Sequence, residues 1–308
     1  MMDKTYIETV RLLLEIAPAI FETPYFAMKG GTAINLFVAN MPRLSVDVDV
    51  VYTNHQTSRD TALESIARGL ETAKKRLTSM GLAAELSSTK SGDEIKLFIR
   101  RERHQVKVEV NHVFRGTVLP VEIQRLGAAA RTQFTTELSV PVLAAAELYG
   151  SKLVAAMDRQ HPRDLFDVRG LFDRDSMTAE VVECFVCYLA GHNRPVHEVL
   201  FSRDQDIASA FENEFAGMTR DAVTLSELQQ VRRRLRNELP VMLTANQRQF
   251  LLGLVAGEPN WQLMKCPHLS ELPAIRWKLQ NLTKLRKSNP DKFTQQFEAM
   301  KVQLAQYA

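Results

Sequence analysis

The sequence predicts an α+β protein: a mixed β-sheet with helices in its first half, followed by an all-α region. Three observations predict it. Up to about residue 140 the apolar spacing alternates between a helical period and a strand-like period of two. From Pro141 onward nearly every periodic segment reads as helical. The chain has 308 residues with 45% hydrophobic side chains, enough for about two ordinary cores. The expected division is therefore a first domain over 1–140 and a helical domain over 141–308.

Taken in order, the amphipathic run 3–20 predicts a helix and Tyr25–Lys29 a short strand. Gly30-Gly31 marks a turn that opens a further helix through about Val38. Val46–Thr53 alternates as a strand, and Ser58–Met80 follows a polar turn as a long helix. Ala83–Ser87, Glu94–Arg101 and Gln105–Phe114 are strands separated by turn residues. Beyond them, apolar positions recur every three to four residues from Val142 through Asp158. Further helices are predicted over 162–173, 177–190, 224–238, 244–256, 269–287 and 290–306.

Composition removes several classes of function. No apolar run approaches the roughly 18 residues of a membrane span. Residues Met1 to Ile20 carry Asp3, Glu8 and Glu15 in an amphipathic pattern, unlike a secretory signal, which makes the cytoplasm the expected location. Three cysteines are too few for a disulfide framework and agree with a reducing compartment. Thirty-nine basic against 36 acidic residues leave a net charge of +3, so overall charge demands no nucleic-acid partner. Local basic clusters stand at Lys74-Lys75-Arg76, Arg100-Arg101-x-Arg103-His104, Arg232-Arg233-Arg234-x-Arg236 and Lys284-x-Arg286-Lys287. Each is explained singly as a solvated surface; convergence of two or more would make a track for a polyanion such as RNA.

Gly30-Gly31-Thr32 sits where a strand gives way to a helix, and first-turn N–H groups there have no intrahelical partner. Such a junction holds an anion such as a triphosphate, or is simply a tight turn. Fifteen residues later, Ser45-Val46-Asp47-Val48-Asp49-Val50-Val51 places Asp47 and Asp49 on one strand face and the alternate valines on the other. Two carboxylates so close repel unless a cation or a basic group lies between them; a hard cation such as Mg2+ answers that cost, and a solvated edge strand is the alternative. Gln105-Val106-Lys107-Val108-Glu109-Val110-Asn111 alternates equally cleanly, so that Lys107, Glu109 and Asn111 share a face. Glu109 is the candidate third carboxylate and the candidate general base. Three carboxylates around Mg2+ beside a phosphate-binding turn suit nucleotidyl transfer.

Further along, helical spacing puts Lys152 and Arg159 on one face and aligns Arg163 with Asp167 on the next helix, with His161-Pro162 as the break between them. This cluster reads either as part of a site or as a salt-bridge network. Cys184-x2-Cys187 with His192 and His197 could be drawn as a zinc site, but Phe185, Val186 and Leu189 make the segment read as a buried helix.

Lys29-Gly30-Gly31-Thr32, then Arg43-x-Ser45-x-Asp47-x-Asp49, then Lys107-x-Glu109 resemble the AbiEii/AbiGii nucleotidyltransferase toxins of the DNA polymerase β-like nucleotidyltransferase superfamily. Glu147-Leu-Tyr-Gly-Ser-Lys152 and Arg159-Gln-His-Pro-Arg163-Asp164-Leu-Phe-Asp167 look like that family's acidic-x4-Lys and Arg-x3-Arg-Asp-x2-Asp motifs. Pro273-Ala-Ile-Arg-Trp277-Lys278-x2-Asn281 resembles its C-terminal helices, so the resemblance runs over residues 25 to 285.

The resemblance implies an Mg2+-dependent (or Mn2+-dependent) enzyme with an NTP bound in a cleft that the helical domain completes. It implies nucleotide binding by Lys29, Gly30, Gly31, Thr32 and Ser45, and metal ligation by Asp47, Asp49 and Glu109. It implies a phosphate contact from Lys152, with Arg163, Asp164 and Asp167 shaping the site and Asp164 among the catalytic residues. Two departures stand out: Thr32 replaces the commoner Ser, and Glu109 replaces the commoner Asp. The implied role is the toxin half of a bacterial toxin–antitoxin or phage-defence pair, with a cognate antitoxin as partner and a tRNA 3′ end as acceptor. Nucleotidylation of a protein hydroxyl, including the chain's own, and a non-catalytic NTP- or partner-binding module are the alternatives.

Overall fold

The computed structural model describes residues 2–88 and 95–307; Glu94, the expected start of a strand, lies outside them. The chain forms two compact units, Met1–Leu148 with Phe215–Ala222, and Tyr149–Glu214 with Val223–Ala308. The sequence predicts a single division, at 140/141. Contacts divide the chain inside a helix instead and return 215–222 to the first unit. Backbone pairing holds that return: Asp3 N donates to the Gly217 carbonyl at 2.9 Å and Leu44 N to that of Met218 at 2.8 Å.

The first unit begins with α1 (Lys4–Phe21), capped by the Asp3 carboxylate, which accepts from Thr5 N at 2.6 Å. Its buried stripe of Val10, Leu13, Ile16, Ala17 and Ile20 follows the helical period. Next come β1 (Phe26–Lys29), the single turn α2 (Gly30–Thr32) continued as a π-helical stretch Ala33–Val38, and β2 (Asp47–Tyr52). An ordinary α-helix was expected through Val38. The Asn35 side chain instead donates to the Gly31 carbonyl at 2.9 Å, entering the helical ladder where the widening begins.

The remaining elements are α3 (Arg59–Ser79), β3 (Ala83–Ser88), β4 (Ile95–Arg101), β5 (His104–Asn111), β6 (Glu122–Arg125), α4 (Ala128–Phe134) and β7 (Ser139–Val142). They make a seven-stranded mixed sheet in the order β3-β4-β5-β2-β1-β7-β6. β2 runs parallel to β5 and β1 parallel to β7; the other neighbours are antiparallel. β6, α4 and β7 carry no signal that the periodicity registers. β6 is largely exposed and does not alternate, and Pro141, read as a boundary, lies within β7.

α5 (Ala145–Asp158) carries the chain into the second unit, which contains α6 (Pro162–Asp173), α7 (Ala179–Ala190), α8 (Val196–Leu200), α9 (Ala208–Glu214), α10 (Leu225–Met242), α11 (Ala245–Ala256), α12 (Pro273–Ser288) and α13 (Pro290–Leu304). α10 and α11 each start in a capping box, Thr224 with Glu227 and Thr244 with Gln247, so their beginnings match the sequence signal. Gly150 lets α5 approach α7: a Cβ there would stand 2.5 Å from the Cys184 Cβ and 2.7 Å from the Phe185 nitrogen. Cys184 and Cys187 are fully buried on α7. Among the described residues no helix is long and apolar enough to cross a membrane.

One buried cation ties α12 to the segment that follows α7. Lys278, 6% exposed, donates through Nζ to the His192 carbonyl at 2.9 Å and the Arg194 carbonyl at 2.6 Å. Burial lowers its pKa to about 8, and Glu198 opposes that only partly. Between pH 8 and the ordinary lysine range the unfolded chain binds the extra proton, so stability rises with pH there. A denaturant series at pH 8 and pH 10 is expected to show a gain of about 2 kcal/mol attributable to Lys278, as the difference between wild type and Lys278→Met. Equal pH slopes in the two chains would contradict it.

Candidate functional site

The carboxylate face is built by strand register. Val48 and Val50 of β2 and Val106 and Val108 of β5 are fully buried, and the alternation turns Asp47, Asp49, Lys107 and Glu109 to the other face, where they are partly exposed. Parallel pairing sets Asp47 beside Lys107 and Asp49 beside Glu109. The antiparallel neighbours set Lys29 of β1 beside Asp49 and Lys96 of β4 beside Glu109. The result is a row across four strands, Lys29, Asp49, Glu109 and Lys96, with Asp47 and Lys107 in the row next to it.

Within this face Glu109 is held at both oxygens, by Lys96 Nζ at 2.7 Å and by Lys107 Nζ at 3.1 Å. Lys107 also comes to 4.0 Å from Asp47 Oδ1. Partial burial pushes the Glu109 pKa up, but the hydrogen bonds and charges of Lys96 and Lys107 prevail and hold it below the usual carboxylate range. Glu109 is therefore ionised at neutral pH and is a weak proton acceptor in this arrangement.

The Gly30-Gly31 turn packs directly on these groups. Gly30 has φ +75°, and a Cβ there would lie 2.1 Å from Asp49 Oδ2. A Cβ on Gly31 would lie 2.8 Å from Arg43 Nη2 and 3.1 Å from Ser45 Oγ. Only glycines let the backbone come this close. Thr32 is fully buried and its hydroxyl donates to the Asp47 carbonyl, fastening the turn to β2. Arg43, 2% exposed, donates through Nη1 to the Leu44 carbonyl at 2.9 Å. The turn and the Arg43-x-Ser45-x-Asp47-x-Asp49 run are thus one packed object in which each motif residue supports another.

The second unit carries the other motif cluster as a buried ion-pair network. Lys152 Nζ lies 2.8 Å from Asp164 Oδ1 and 3.0 Å from Asp167 Oδ2, with both aspartate side chains fully buried. Arg159 covers Asp164 with bonds of 2.6 and 3.0 Å from Nε and Nη2. Burial alone would raise the Asp164 pKa; Lys152 and Arg159 hold it far below the usual carboxylate range. Arg163 turns elsewhere, toward His161 Nδ1 at 3.4 Å and Glu214 Oε2 at 3.9 Å. Glu147, in the first unit, is fully buried and accepts from the Val118 and Leu119 N–H groups at 2.8 and 2.9 Å, pinning that loop.

Three roles escaped sequence reasoning. Lys96 holds Glu109, Glu147 holds a loop, and Arg159 closes over Asp164. The first was recoverable: the tight turn at Glu102-Arg103 pairs Arg101 with His104, and counting back along the hairpin pairs Lys96 with Glu109. Glu147 reaches residues 28 and 29 positions away, and Arg159 reaches Asp164 five positions on, across the break between two helices.

An all-oxygen pair of carboxylates two residues apart, partly exposed and packed against a glycine backbone turn, suits a hard divalent cation. Asp47 and Asp49 meet that description. Glu109 is adjacent, but its oxygens are turned to lysines, and among the described residues no three His, Cys, Asp or Glu side chains are gathered as a metal cluster.

The buried network makes a direct prediction about stability. Lys152→Ala removes the cation that two buried carboxylates share and is expected to destabilise the protein by about 3–5 kcal/mol in chemical denaturation. A change under about 1 kcal/mol, the value for a surface pair, would contradict the assignment.

Comparison with known proteins bears on the same residues. No curated protein matches the chain. Among solved structures it is similar to MenT4, a nucleotidyltransferase toxin from Mycobacterium tuberculosis, with TM-score 0.58 and 19% identity over 88% of this chain and 92% of that one, a likeness of fold. A STING-associated CdnE c-di-GMP synthase from Capnocytophaga granulosa aligns over 78% of this chain and 81% of its own at 10% identity, with a TM-score of 0.26. The family described as "Nucleotidyl transferase AbiEii toxin, Type IV TA system" matches residues 11–281, a span that contains both motif clusters. The chain belongs to the AbiEii family, the nucleotidyltransferase toxins of type IV toxin–antitoxin systems.

Proposed function

We propose that this toxin transfers a nucleoside monophosphate from an NTP to the 3′ end of a tRNA, with Mg2+ or Mn2+ held by Asp47 and Asp49. The observation that carries the reading is the packing of Asp49 Oδ2 against the Gly30 backbone, which brings a carboxylate pair and a glycine turn that opens a helix to one place. An acceptor hydroxyl attacks the α-phosphorus, the bond to the β-phosphate oxygen breaks, pyrophosphate leaves and the hydroxyl proton is lost to solvent or a base. Bound at the aspartates, the divalent cation would neutralise the triphosphate and favour the attacking oxygen.

The chain's own groups set the geometry. The N–H groups of Gly30, Gly31 and Thr32 offer donors to phosphate oxygens, with the Thr32 hydroxyl occupied in fixing the turn. Ser45 stands against Gly31, and Lys29 stands beside Asp49 on the neighbouring strand. Lys96 and Lys107 keep Glu109 ionised and oriented, so Glu109 acts as a fixed negative charge that positions Lys107 next to Asp47. Within the second unit, Lys152, Asp164 and Asp167 form the frame that keeps that family motif in one conformation, with Arg163 on the same motif turned toward His161 and Glu214. The type IV family implies NTP as substrate and a cognate antitoxin; the tRNA acceptor is supported by the family resemblance.

Purified protein incubated with each of four α-32P-labelled NTPs, Mg2+ and total cellular RNA tests this reading. Label is expected on tRNA-sized RNA, with incorporation by Asp49→Asn reduced at least a hundredfold. Label on protein, resistant to RNase, would overturn the tRNA acceptor in favour of protein nucleotidylation. Equal labelling by wild type and Asp49→Asn would overturn the site.

A further inference from the structure

Helix α12, Pro273-Ala-Ile-Arg-Trp-Lys-Leu-Gln-Asn-Leu-Thr-Lys-Leu-Arg-Lys-Ser288, contains five Lys or Arg and no Asp or Glu. Its apolar face is satisfied: Ala274, Ile275 and Leu282 are buried, and Lys278 is spent on backbone carbonyls. The opposite face is exposed and has its own order. Helical spacing lines up Trp277, Gln280, Asn281, Lys284 and Lys287, with Arg276 at the edge. Trp277 is 55% exposed, an unusual amount for the largest apolar side chain. Arg286 lies on the other side of the helix, over the Phe293 ring and 3.8 Å from Glu258.

An exposed indole followed by polar amides and then two lysines is a combination with a specific chemistry. A base stacks on the ring, the amides meet base or ribose edges, and the ammonium groups follow the phosphates. From Trp277 to Lys287 is about 15 Å along the helix, the reach of a few nucleotides of extended single strand. An acidic protein partner would answer the lysines equally well, but a solvent-facing tryptophan among amides gives it no apolar groove to fill, whereas a base stacks on it, so the indole decides for nucleic acid.

We infer that the exposed face of α12, from Trp277 to Lys287, docks an unpaired segment of the acceptor RNA. This rests on the proposal that the acceptor is an RNA, and it adds the surface that holds it. The face shares no residue with the carboxylate site, so its loss is expected to weaken acceptor binding and to leave NTP binding unchanged.

The test uses the full chain with a fluorescein-labelled single-stranded RNA oligonucleotide and with bulk tRNA. Trp261→Phe leaves Trp277 as the sole tryptophan, and its emission is expected to quench as RNA is added. Trp277→Ala is expected to weaken binding about tenfold. Lys284→Gln with Lys287→Gln is expected to reduce the slope of log K against log salt by roughly 1.5. Because all three side chains are exposed, unchanged thermal midpoints certify the variants. RNA binding with unchanged affinity, slope and emission would overturn this docking face while leaving RNA as the acceptor. Loss of antitoxin binding in place of RNA binding would overturn it in favour of a protein interface. Failure of the wild-type chain to bind RNA would overturn it too, and the labelling experiment then separately decides the acceptor.

Discussion

Everything in the candidate site depends on the parallel, in-register pairing of β2 with β5. That ladder places Asp47 beside Lys107 and Asp49 beside Glu109, and it does so because Val48, Val50, Val106 and Val108 are buried on the other face. Each buried valine is worth roughly 1.5–3 kcal/mol. A slip of one residue would turn them all to water, at a cost comparable with the whole stability of a domain. Apolar burial thus fixes charge positions that electrostatics alone would not choose. Aspartates on one face repel, and lysines from the flanking strands come in as their counter-charges.

The same logic runs differently in the second unit, where the charges lie inside. Lys152 and Arg159 stand against Asp164 and Asp167, two cations for two anions. Desolvation makes such a set expensive, and an apolar replacement of equal volume would be as stable or more so. What the charges provide is definition: Asp164 accepts from two different side chains on α5 and the loop before α6, so only one arrangement of these elements satisfies it. A motif that fixes a backbone in this way need not itself touch a substrate to matter for the reaction.

Much of this was legible in the sequence. Clean period-two alternation announced β2 and β5 and sorted valines from charges; the glycines at 30 and 31 announced a turn that only they can make. The motif runs were recognisable because their residues pack on one another: Arg43 and Ser45 under Gly31, Asp49 under Gly30, and the Thr32 hydroxyl on the Asp47 carbonyl. What escaped has several separate causes. β6 and β7 are short, partly exposed and interrupted by Pro141, so neither period is visible. The π-helical stretch carries a side-chain bond from Asn35 to the Gly31 carbonyl, which no periodicity signals. The engagement of Glu109 with two lysines combines Lys107, two residues away on β5, with Lys96 across the β4–β5 hairpin.

The central claim is that Asp47 and Asp49, against the Gly30-Gly31 turn, hold the divalent cation together with the nucleotide. Free Mn2+ followed by electron paramagnetic resonance, during titration of the protein with a non-hydrolysable NTP analogue present, tests it without relying on catalysis or on an acceptor. The account predicts stoichiometric Mn2+ uptake by wild type and at least a tenfold weaker uptake by Asp47→Asn with Asp49→Asn. Equal uptake by the two proteins would contradict it.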